Sequence, residues 1–396
     1  MLFIKDLNVR GKMVFCRVDF NVPLDDKGAI RNDTRIRASL PTIRMLVDGG
    51  ARLVLCSHLG RPKGKPDPKL SLRPAAVRLA ELLGREVLFA PDCIGPEVEA
   101  LKAGLREGQV LLLENVRFHV EETKNDPAFA RQLASGIDIF VNDAFGSSHR
   151  AHASVVGITD FVPCCAAGML MKTEVDYLRR AVISPAKPYV AILGGAKSED
   201  KIPVIENLLN LADHILIGGA MAYTFLKAKG YGVGKSLVEA DKLETAAKIL
   251  DDAAAKGVDF RLPSDHLLTA SIESGTVSEI ADSYPFPADL MGVDIGPRTI
   301  AQYAAIIAQA KTIFWNGPLG VFEVPAFSAG TIKIAEAVAA SGAMSIIGGG
   351  DSIAAVAKAG VGDKITHIST GGGASLEFLA YNTLPGIDAL ENKSHA

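Results

Sequence analysis

The stretch MVFCRVDFNVP, residues 13–23, joins a short apolar run to a polar cluster that carries an arginine. Three later stretches repeat this pattern: RLVLC (52–56) precedes SHLGR (57–61), VLLLEN (110–115) precedes RFH (117–119), and IDIFV (137–141) precedes residues 142–150. Short apolar runs bounded by turn residues are typical of buried parallel strands, and ligands bind beyond the carboxyl ends of such strands. The pattern therefore predicts four basic clusters at one edge of a parallel sheet.

The clusters that follow these runs contain arginines and histidines with few acidic residues to balance them. Arg61, Arg117 and Arg150 each lie just after a predicted strand, and His58 precedes Arg61. The planar guanidinium matches the oxygens of phosphate and carboxylate groups, so converging arginines favour a small, doubly anionic ligand. Arg17 lies inside its apolar run, which indicates a structural role.

The second half of the chain follows its apolar runs with glycines instead of arginines. The runs and glycines are YVAIL before Gly194-Gly195, HILI before Gly218-Gly219, TIFW before Asn316-Gly317, MSII before Gly348 to Gly350, and HIST before Gly371 to Gly373. Each is expected to be a strand, a glycine loop and then a helix. Glycine lets backbone N–H groups approach an anion, and a helix N-terminus favours negative charge there. The pattern predicts a nucleotide site facing the anion site across a cleft.

Several single residues keep two interpretations. Asp351, after the third glycine, suits an N-cap or a Mg²⁺ ligand on a nucleotide phosphate. Lys197 and Lys201 are either solvated lysines or a pair on one face of a new helical turn. Arg35 is either a surface charge at a helix start or part of the anion site, and His58 is either a positioning residue or a ligand.

The length of 396 residues predicts two domains, because a single core seldom grows beyond about 250–300 residues. Alternating strand-like and helical patterns predict two doubly wound α/β domains. Residues 169–184 read as an amphipathic connector helix that ends before two prolines. We expect residues 1–168 with the tail 376–396 to bind the anionic substrate, and residues 185–375 to bind the nucleotide.

The bulk properties argue against several classes of partner. A formal net charge of -3 indicates neither a nucleic-acid-binding nor an anionic-membrane-binding protein. We expect no membrane span, because no run approaches roughly 18 uninterrupted apolar residues. Five cysteines without metal-ligand spacing favour reduced thiols in the cytoplasm, and large self-sufficient cores favour a monomer.

Eight motifs resemble, in order and spacing, those of the phosphoglycerate kinases, over residues 6–389. They are RVDFNVP (17–23), SHLGRP (57–62), LLENVRFH (112–119), NDAFGSSHRAHAS (142–154), GGAKSEDKI (194–202), WNGPLGVFE (315–323), GGGDS (348–352) and STGGGASLEFL (369–379). The resemblance implies reversible phosphoryl transfer from 1,3-bisphosphoglycerate to ADP, giving 3-phosphoglycerate and ATP, with Mg²⁺ on the nucleotide. It also implies two domains that close on the substrates and a C-terminal tail on the first domain.

The matching positions imply two sets of site residues. The set for 3-phosphoglycerate is Asp19, Asn21, Arg35, His58, Leu59, Gly60, Arg61, Arg117 and Arg150. The set for the nucleotide is Lys197, Lys201, Glu323, Gly349, Gly350, Asp351 and Ser352, with Asp351 as the metal ligand. We expect Arg35, Lys201 and the N–H groups of Gly349 and Gly350 to act on the moving phosphoryl group. Three positions depart from the usual family pattern, namely Ser198-Glu199, Ala220 and Ser352, and Glu199 puts a negative charge beside the phosphate lysines.

Two other classes of protein stay open at this point. A dinucleotide-dependent dehydrogenase would share the α/β halves, but no strand is followed by a complete G-x-G-x-x-G with an acid about 20 residues later. A non-catalytic nucleotide-binding protein is the second alternative. NADH binding would reveal the first, and a coupled kinase assay would exclude the second.

Overall fold

The computed structural model describes residues 1–393 and divides them into two compact units. Unit 1 contains Met1–Asp176 and the segment from Thr383 onward, and unit 2 contains Tyr177–Asn382. The domain limits predicted from the sequence differ by several residues from these bounds and stay a prediction. Within unit 2, Asn207 donates from Nδ2 to the backbone oxygen of Leu379, 2.5 Å away, which ties the segment before residue 383 to this unit.

Unit 1 is built on a sheet of six parallel strands in the order β3-β4-β2-β1-β5-β6. The strands are β1 (Met13–Arg17), β2 (Arg52–Cys56), β3 (Val87–Phe89), β4 (Val110–Leu112), β5 (Ile139–Asn142) and β6 (Cys164–Ala167). The helices are α1 (Thr34–Asp48), α2 (Arg73–Leu83), α3 (Pro96–Gly104), α4 (Val120–Thr123), α5 (Pro127–Leu133) and α6 (Met169–Val182), of which α6 continues into unit 2. Helices on a parallel sheet explain why its strands are apolar on both faces.

The core of unit 1 lies on both faces of this sheet. In β1 every residue is buried, and Val14 pairs in register with Leu53 of β2 and Ile139 of β5. Val14 belongs to one apolar cluster, while Phe15 points the other way and its ring lies 6.2 Å from that of Phe140. A strand buried on both faces carries no alternation of polar residues, as the run MVFC shows.

Unit 2 contains a second parallel sheet of six strands, in the order β15-β14-β13-β7-β8-β9. Its strands are β7 (Tyr189–Leu193), β8 (His214–Ile217), β9 (Asp259–Arg261), β13 (Thr312–Asn316), β14 (Met344–Gly348) and β15 (His367–Ile368). The helices are α7 (Ile202–Leu208), α8 (Met221–Ala228), α9 (Leu243–Lys256), α10 (Pro297–Ile307), α11 (Ala329–Ala340), α12 (Gly350–Lys358) and α13 (Gly373–Tyr381). Trp315 of β13 is fully buried in the core of this unit.

A small antiparallel sheet in unit 2 was not predicted from the sequence. It consists of β10 (His266–Thr269), β11 (Glu279–Ala281) and β12 (Met291–Ile295), in the order β11-β10-β12. The strands are three to five residues long and their burial is uneven, so they lack the continuous apolar runs that identify the parallel strands.

The predicted sequence of strand, glycines and helix holds after some strands and fails after others. Helices α8, α12 and α13 begin within a few residues of the preceding strand. After β13, in contrast, twelve residues separate Asn316 from the start of α11 at Ala329, and after β7 the α-helix begins only at Ile202. The physical reason is that the loops after β7 and β13 pack against each other, so each loop continues past this contact before its α-helix begins.

The final helix α14 (Pro385–Lys393) packs on unit 1. The backbone N–H of Gly386 donates to the oxygen of Ser148, 2.8 Å away, and a Cβ at Gly386 would lie 2.9 Å from Val155. Only glycine allows this close approach. In residues 1–393 we find no helix long and apolar enough to cross a membrane.

His266 makes the stability of unit 2 dependent on pH. Its ring lies among Tyr223, Tyr284 and Phe286, and Nε2 lies 2.9 Å from the hydroxyl of Tyr284. Burial lowers the pKa of His266 to about 4, so the unfolded chain binds a proton between that value and about 6.5 and the folded chain does not. The contribution of neutral His266 to the free energy of unfolding is therefore fully present above about pH 6.5. It falls by roughly 2 kcal/mol when the pH is lowered to 5.

We expect His266→Phe, which keeps an aromatic ring, to reduce this pH dependence. The measurement is the thermal unfolding midpoint at pH 7.5 and at pH 5, for the variant and for the original chain. A difference between the two pH values that is the same in both proteins would show that His266 does not titrate on unfolding.

Candidate active site

The four basic clusters follow four strands that are neighbours in the sheet of unit 1. Strands β4, β2, β1 and β5 are contiguous and parallel, so their carboxyl ends lie at one edge. Apolar runs in the sequence thus locate the cluster residues at the edge where open α/β sheets bind ligands.

A buried network begins at Arg17, the last residue of β1. Its side chain is fully buried and donates from Nε to Ser154 Oγ, 2.8 Å away, and from Nη1 to the oxygen of Val18. Ser154 Oγ in turn donates to the carboxylate of Glu122, 2.6 Å away, and that carboxylate also accepts from Ser154 N. Burial raises the pKa of Glu122, and the nearby Arg17 opposes the rise. Arg17 therefore has the structural role that the sequence indicated.

Arg17 also determines which nitrogen of His58 carries the proton. Arg17 Nη2 lies 3.1 Å from His58 Nδ1. A guanidinium can only donate hydrogen bonds, so Nδ1 must accept, and the neutral ring carries its proton on Nε2. Burial, together with the charges of Arg17 and Arg117, lowers the pKa of His58 well below its usual value. The result is a neutral imidazole whose Nε2–H is a donor.

Asn115, after β4, holds the second and third clusters together. Its Nδ2 donates to the backbone oxygens of Leu59 and Leu70, at 2.7 and 2.9 Å, and its Oδ1 accepts from the N–H of Leu59 and of Arg117. Arg117 Nη1 donates to the oxygen of Gly60, 3.0 Å away. The buried Leu59 and the turn at Gly60, where φ is +61°, thus support the guanidinium of Arg117.

Three of the predicted arginines line one cavity of about 430 Å³ in unit 1, hereafter the anion cavity. Its lining is Arg61, Pro62, Lys63, Gly64, Arg117, His119, Val120, Thr123 and Arg150. Among residues 1–393, no carboxylate belongs to this lining. Burial and repulsion from Arg17 and Arg150 lower the pKa of Arg117 to about 10, and its buried Nε finds no partner within the described chain. An anion in the cavity would relieve both the repulsion and the missing hydrogen bond.

Arg35 and the two polar residues after β1 form a separate group. Arg35, in the first turn of α1, lies 3.3 Å from both carboxylate oxygens of Asp19 and donates to the backbone oxygen of Asn21 at 3.0 Å. Asp19 accepts from the N–H of Asn21, and Asn21 Oδ1 accepts from the N–H of Gly60. Neither Arg35 nor His58 lines the anion cavity. The structure therefore joins Arg35 to the first cluster and leaves its guanidinium partly exposed.

Close contacts between glycine loops form the corresponding region of unit 2. A Cβ at Gly194 would lie 2.1 Å from the oxygen of Pro318, and a Cβ at Gly317 would lie 2.2 Å from the oxygen of Gly194. Gly219 has φ of +64°, and a Cβ there would lie 2.5 Å from Gly195 N. Side chains would separate these loops, so the glycines are required for packing as well as for any ligand.

A cavity of about 240 Å³ opens at these loops, hereafter the glycine cavity. Its lining is Gly195, Ala196, Gly219, Ala220, Tyr223, Gly292, Val293, Pro318, Leu319, Gly320, Val321, Glu323 and Asp351. Glu323 and Asp351 are the two charged members and both are exposed. Ala220, where the family usually has glycine, belongs to this lining, so its methyl group adds to the wall of the cavity.

The two lysines after β7 differ in their surroundings. Lys197 is exposed, whereas Lys201 is partly buried, and this burial lowers its pKa. Lys201 Nζ lies close to Gly195, 3.5 Å from the position that a Cβ would take there. Lys201 Nζ donates to the backbone oxygen of Lys197 at 3.4 Å. Lys201 ends a short 3-10 helix, Glu199–Lys201, so the two lysines do not share one face of an α-helical turn.

The start of α12 corrects the interpretation of Asp351 as an N-cap. Gly349 is the N-cap residue, with φ of +90°, and Asp351 lies inside the first turn. There an exposed carboxylate gains from the helix dipole without capping a backbone N–H. A Cβ at Gly350 would have no neighbour within 4 Å. Ser352 is fully buried, and its Oγ accepts from the N–H of Gly317 at 2.6 Å, so this hydroxyl holds the loop after β13.

Sequence reasoning missed several residues that build the two regions. Asn115, Glu122 and Ser154 act through buried hydrogen bonds to partners 32 or more residues away, which no local pattern indicates. Asn316 is 4% exposed, its Nδ2 has no hydrogen-bond partner within the described residues, and it lies beside Gly349. A buried amide nitrogen without a partner at a glycine loop is a donor for a ligand, and the position of Asn316 at the end of an apolar run was the available signal.

Comparison with known proteins points to one family. Residues 4–381 match the family model described as phosphoglycerate kinase. Phosphoglycerate kinase of Koribacter versatilis is 59% identical over 400 residues, which covers 99% of each chain, and that of Acidobacterium capsulatum is 58% identical over 401 residues with the same coverage.

Solved structures give the same result for the fold. Phosphoglycerate kinase from Coxiella burnetii superposes with a TM-score of 0.89 at 41% identity, and that from Pyrococcus horikoshii with a TM-score of 0.87 at 38% identity. Both comparisons cover 100% of each chain. The predicted fold class of two doubly wound parallel-sheet domains is confirmed, and this chain belongs to the phosphoglycerate kinase family.

Proposed function

We propose that the anion cavity holds the non-reacting phosphate of 3-phosphoglycerate and that the glycine cavity holds ADP or ATP. The observation that carries the first assignment is the convergence of Arg61, Arg117 and Arg150 on one cavity whose described lining has no carboxylate. The lowered pKa of Arg117 supports it, because an anion would compensate the crowded positive charge.

By its family the chain is a kinase, and the reaction of that family is the glycolytic transfer of a phosphoryl group from 1,3-bisphosphoglycerate to ADP. Its products are 3-phosphoglycerate and ATP, and the reaction is reversible. Family membership decides against the two alternatives that the sequence left open, a dinucleotide-dependent dehydrogenase and a non-catalytic nucleotide-binding protein.

The chemistry requires positioning and charge neutralisation more than proton transfer. In the direction of ATP consumption the nucleophile is a carboxylate, which is already ionised at pH 7, so no general base is needed. The transition state of phosphoryl transfer spreads negative charge over the equatorial oxygens. Arg35 is proposed to bridge the substrate carboxylate and the moving group, while Lys201 and the N–H groups of Gly349 and Gly350 bind the transferring oxygens.

The other predicted residues take supporting roles in this proposal. His58 is proposed to donate to the acid from Nε2, the nitrogen that carries the proton because Nδ1 accepts from Arg17. Asp19 orients Arg35, and Asn21, Leu59 and Gly60 support the turn beneath Arg117. Glu323 is proposed for the ribose hydroxyls and Lys197 for a phosphate. Asn316 is added as a donor to the nucleotide or the moving group, because its buried Nδ2 has no partner among the described residues.

Mg²⁺ is proposed to bind with the nucleotide. Mg²⁺ in kinases is usually held by one or two carboxylates together with substrate phosphates, and an exposed carboxylate in the glycine cavity fits this requirement. Asp351 would hold the ion, which would neutralise phosphate charge when bound.

A coupled assay tests the assignment directly. We expect the purified protein to form ADP from ATP only when 3-phosphoglycerate and Mg²⁺ are both present, because the acid supplies the acceptor and the metal neutralises the phosphates. Equal turnover of ATP in the absence of the acid would contradict the proposed function.

Replacing Asp351 by alanine should weaken binding of Mg-nucleotide and leave binding of 3-phosphoglycerate nearly unchanged. The reason is that Asp351 lines only the glycine cavity, and its carboxylate caps no backbone N–H, so its removal does not unsettle α12. Calorimetric titration with each ligand alone measures the effect, with Asp363→Ala as the control because that exposed carboxylate lies outside both cavities. A comparable loss for both ligands would argue against the metal role.

We further propose a monomer located in the cytoplasm. All five cysteines are free thiols, which suits a reducing compartment, and each unit has its own buried core. Sedimentation analysis tests the oligomeric state.

Direct in-line transfer requires the substrate carboxylate and the terminal phosphate of the nucleotide to reach each other. The sequence predicts that the domains close for this step, with bending near Gly168, Ser184 and residues 369–371. This closure stays a prediction.

A further inference from the structure

We infer that Asp92, Cys93 and His119 form a binding site for a zinc-class divalent cation, distinct from the Mg²⁺ position proposed at Asp351. One carboxylate oxygen, one thiol sulfur and one imidazole nitrogen of these residues all lie within 4.8 Å of one another. His119 Nε2 already lies 2.7 Å from Asp92 Oδ1. Three ligand atoms of different types therefore cluster closely enough for small side-chain rotations to bring them onto one ion without any change of fold.

Two adjacent strands bring these residues together. Asp92 and Cys93 follow β3, and His119 follows β4 and the short 3-10 helix Val116–Phe118. β3 and β4 are parallel neighbours, and the N–H of Glu114 donates to the oxygen of Asp92 at 3.3 Å. The N–H of Cys93 donates to Asp92 Oδ1 at 2.6 Å. The ligand-bearing loops are thus tied to each other through the backbone, as a preformed site requires.

The ligand set selects the class of metal. A thiolate and an imidazole suit Zn²⁺, whereas Mg²⁺ prefers oxygen ligands in octahedral geometry. Zinc sites with three protein ligands keep a fourth position for water. Asp92 and His119 line a second cavity in unit 1, of about 860 Å³, while Cys93 is only 2% exposed. The fourth position would therefore face this cavity, and the metal would enter through it.

Charge and protons balance when a divalent cation binds. A bound divalent cation deprotonates a coordinating thiol, and the proton leaves to solvent. Asp92 and the Cys93 thiolate then carry two negative charges that neutralise the cation. His119 Nε2 donates to Asp92 without the metal, so the neutral ring must change tautomer through solvent: Nδ1 then carries the proton, and the lone pair of Nε2 binds the cation. No oxidant or further reactant is required.

Titration of the full chain with Co²⁺, in the absence of nucleotide, tests the site. Co²⁺ takes zinc sites and absorbs in the near ultraviolet when a thiolate is bound, so we expect one Co²⁺ per chain, a thiolate band, and displacement of the band by Zn²⁺. Cys93→Ala should abolish the band. Cys164→Ala is the matched control, because Cys164 is a free, half-exposed thiol outside the cluster, and it should keep the band.

Zn²⁺ affinity, measured by competition with a chromogenic chelator, provides a second readout in case Cys93→Ala does not fold. Asp92→Asn and His119→Gln should each weaken Zn²⁺ binding by at least the roughly 10- to 100-fold that loss of even an outer-shell partner causes. Circular dichroism verifies that each variant is folded. Unchanged affinity in both variants, or a thiolate band that persists in Cys93→Ala, would overturn the inference.

Discussion

Replacing Arg35 by alanine should lower kcat by about 10² to 10³, the loss that follows removal of one donor to a transition-state oxyanion. Arg35 lies in the first turn of α1 and is held over the first cluster by Asp19 and Asn21, with its guanidinium partly exposed. It does not line the anion cavity, so its removal leaves the grip on the non-reacting phosphate in place. Affinity for the nucleotide should change much less.

Steady-state kinetics with both substrates measure this effect, and two variants serve as comparisons. Arg37→Ala removes an exposed arginine of the same helix that pairs with Asp33 at 2.9 Å, and it should leave kcat near its original value. Arg150→Ala should act mainly on the KM for 3-phosphoglycerate, because Arg150 lines the anion cavity. A near-normal kcat in Arg35→Ala would show that the bridging role is wrong.

The second large effect is expected on stability. Glu122→Gln should cost about 3–5 kcal/mol, the loss expected when a buried cation is left without its counter-charge, which Arg17 reaches through Ser154. Glu122 is fully buried, and Ser154 Oγ connects its carboxylate to Arg17 through hydrogen bonds of 2.6 and 2.8 Å. Glutamine keeps the shape and an acceptor oxygen but not the charge, so the cation of Arg17 loses its linked anion.

Thermal unfolding gives the measurement for Glu122→Gln. A loss of this size corresponds to a midpoint lower by roughly 6–20 °C for a unit of this length. Glu121→Gln is the matched control, since it neutralises the preceding glutamate, which is half-buried and outside the network. A midpoint equal to that of the control would mean that the carboxylate of Glu122 does not compensate Arg17.

Local patterns were sufficient to predict the main strands and the connector helix. The run MVFC became β1, and the connector helix predicted over residues 169–184 became α6, Met169–Val182, which ends two residues earlier. Apolar periodicity acts within one element, so it can be recognised without knowledge of the rest of the chain. The short strands of the antiparallel sheet gave no comparable signal, because their pairing depends on neighbours distant in sequence.

In the candidate site, too, local patterns predicted some features and missed others. Arg61, Arg117 and Arg150 were predicted to meet because each follows a parallel strand, and they line one cavity. The sequence could not assign Asp351 to the interior of a first helical turn, because the N-cap is determined by the backbone at Gly349.

By itself the sequence determined the two parallel sheets, the arginine clusters of unit 1 and the glycine loops of unit 2, because each depends on residues close together in the chain. The tertiary structure alone decided the partners of the buried groups: Arg17 with Ser154, His58 with Arg17, and Asn316 Nδ2 without a partner in residues 1–393. A hydrogen bond between residues distant in sequence forms only when donor and acceptor are placed to within a few tenths of an ångström, and only the packed backbone determines that placement. The tautomer of His58 and the support of Arg117 are therefore properties of the fold.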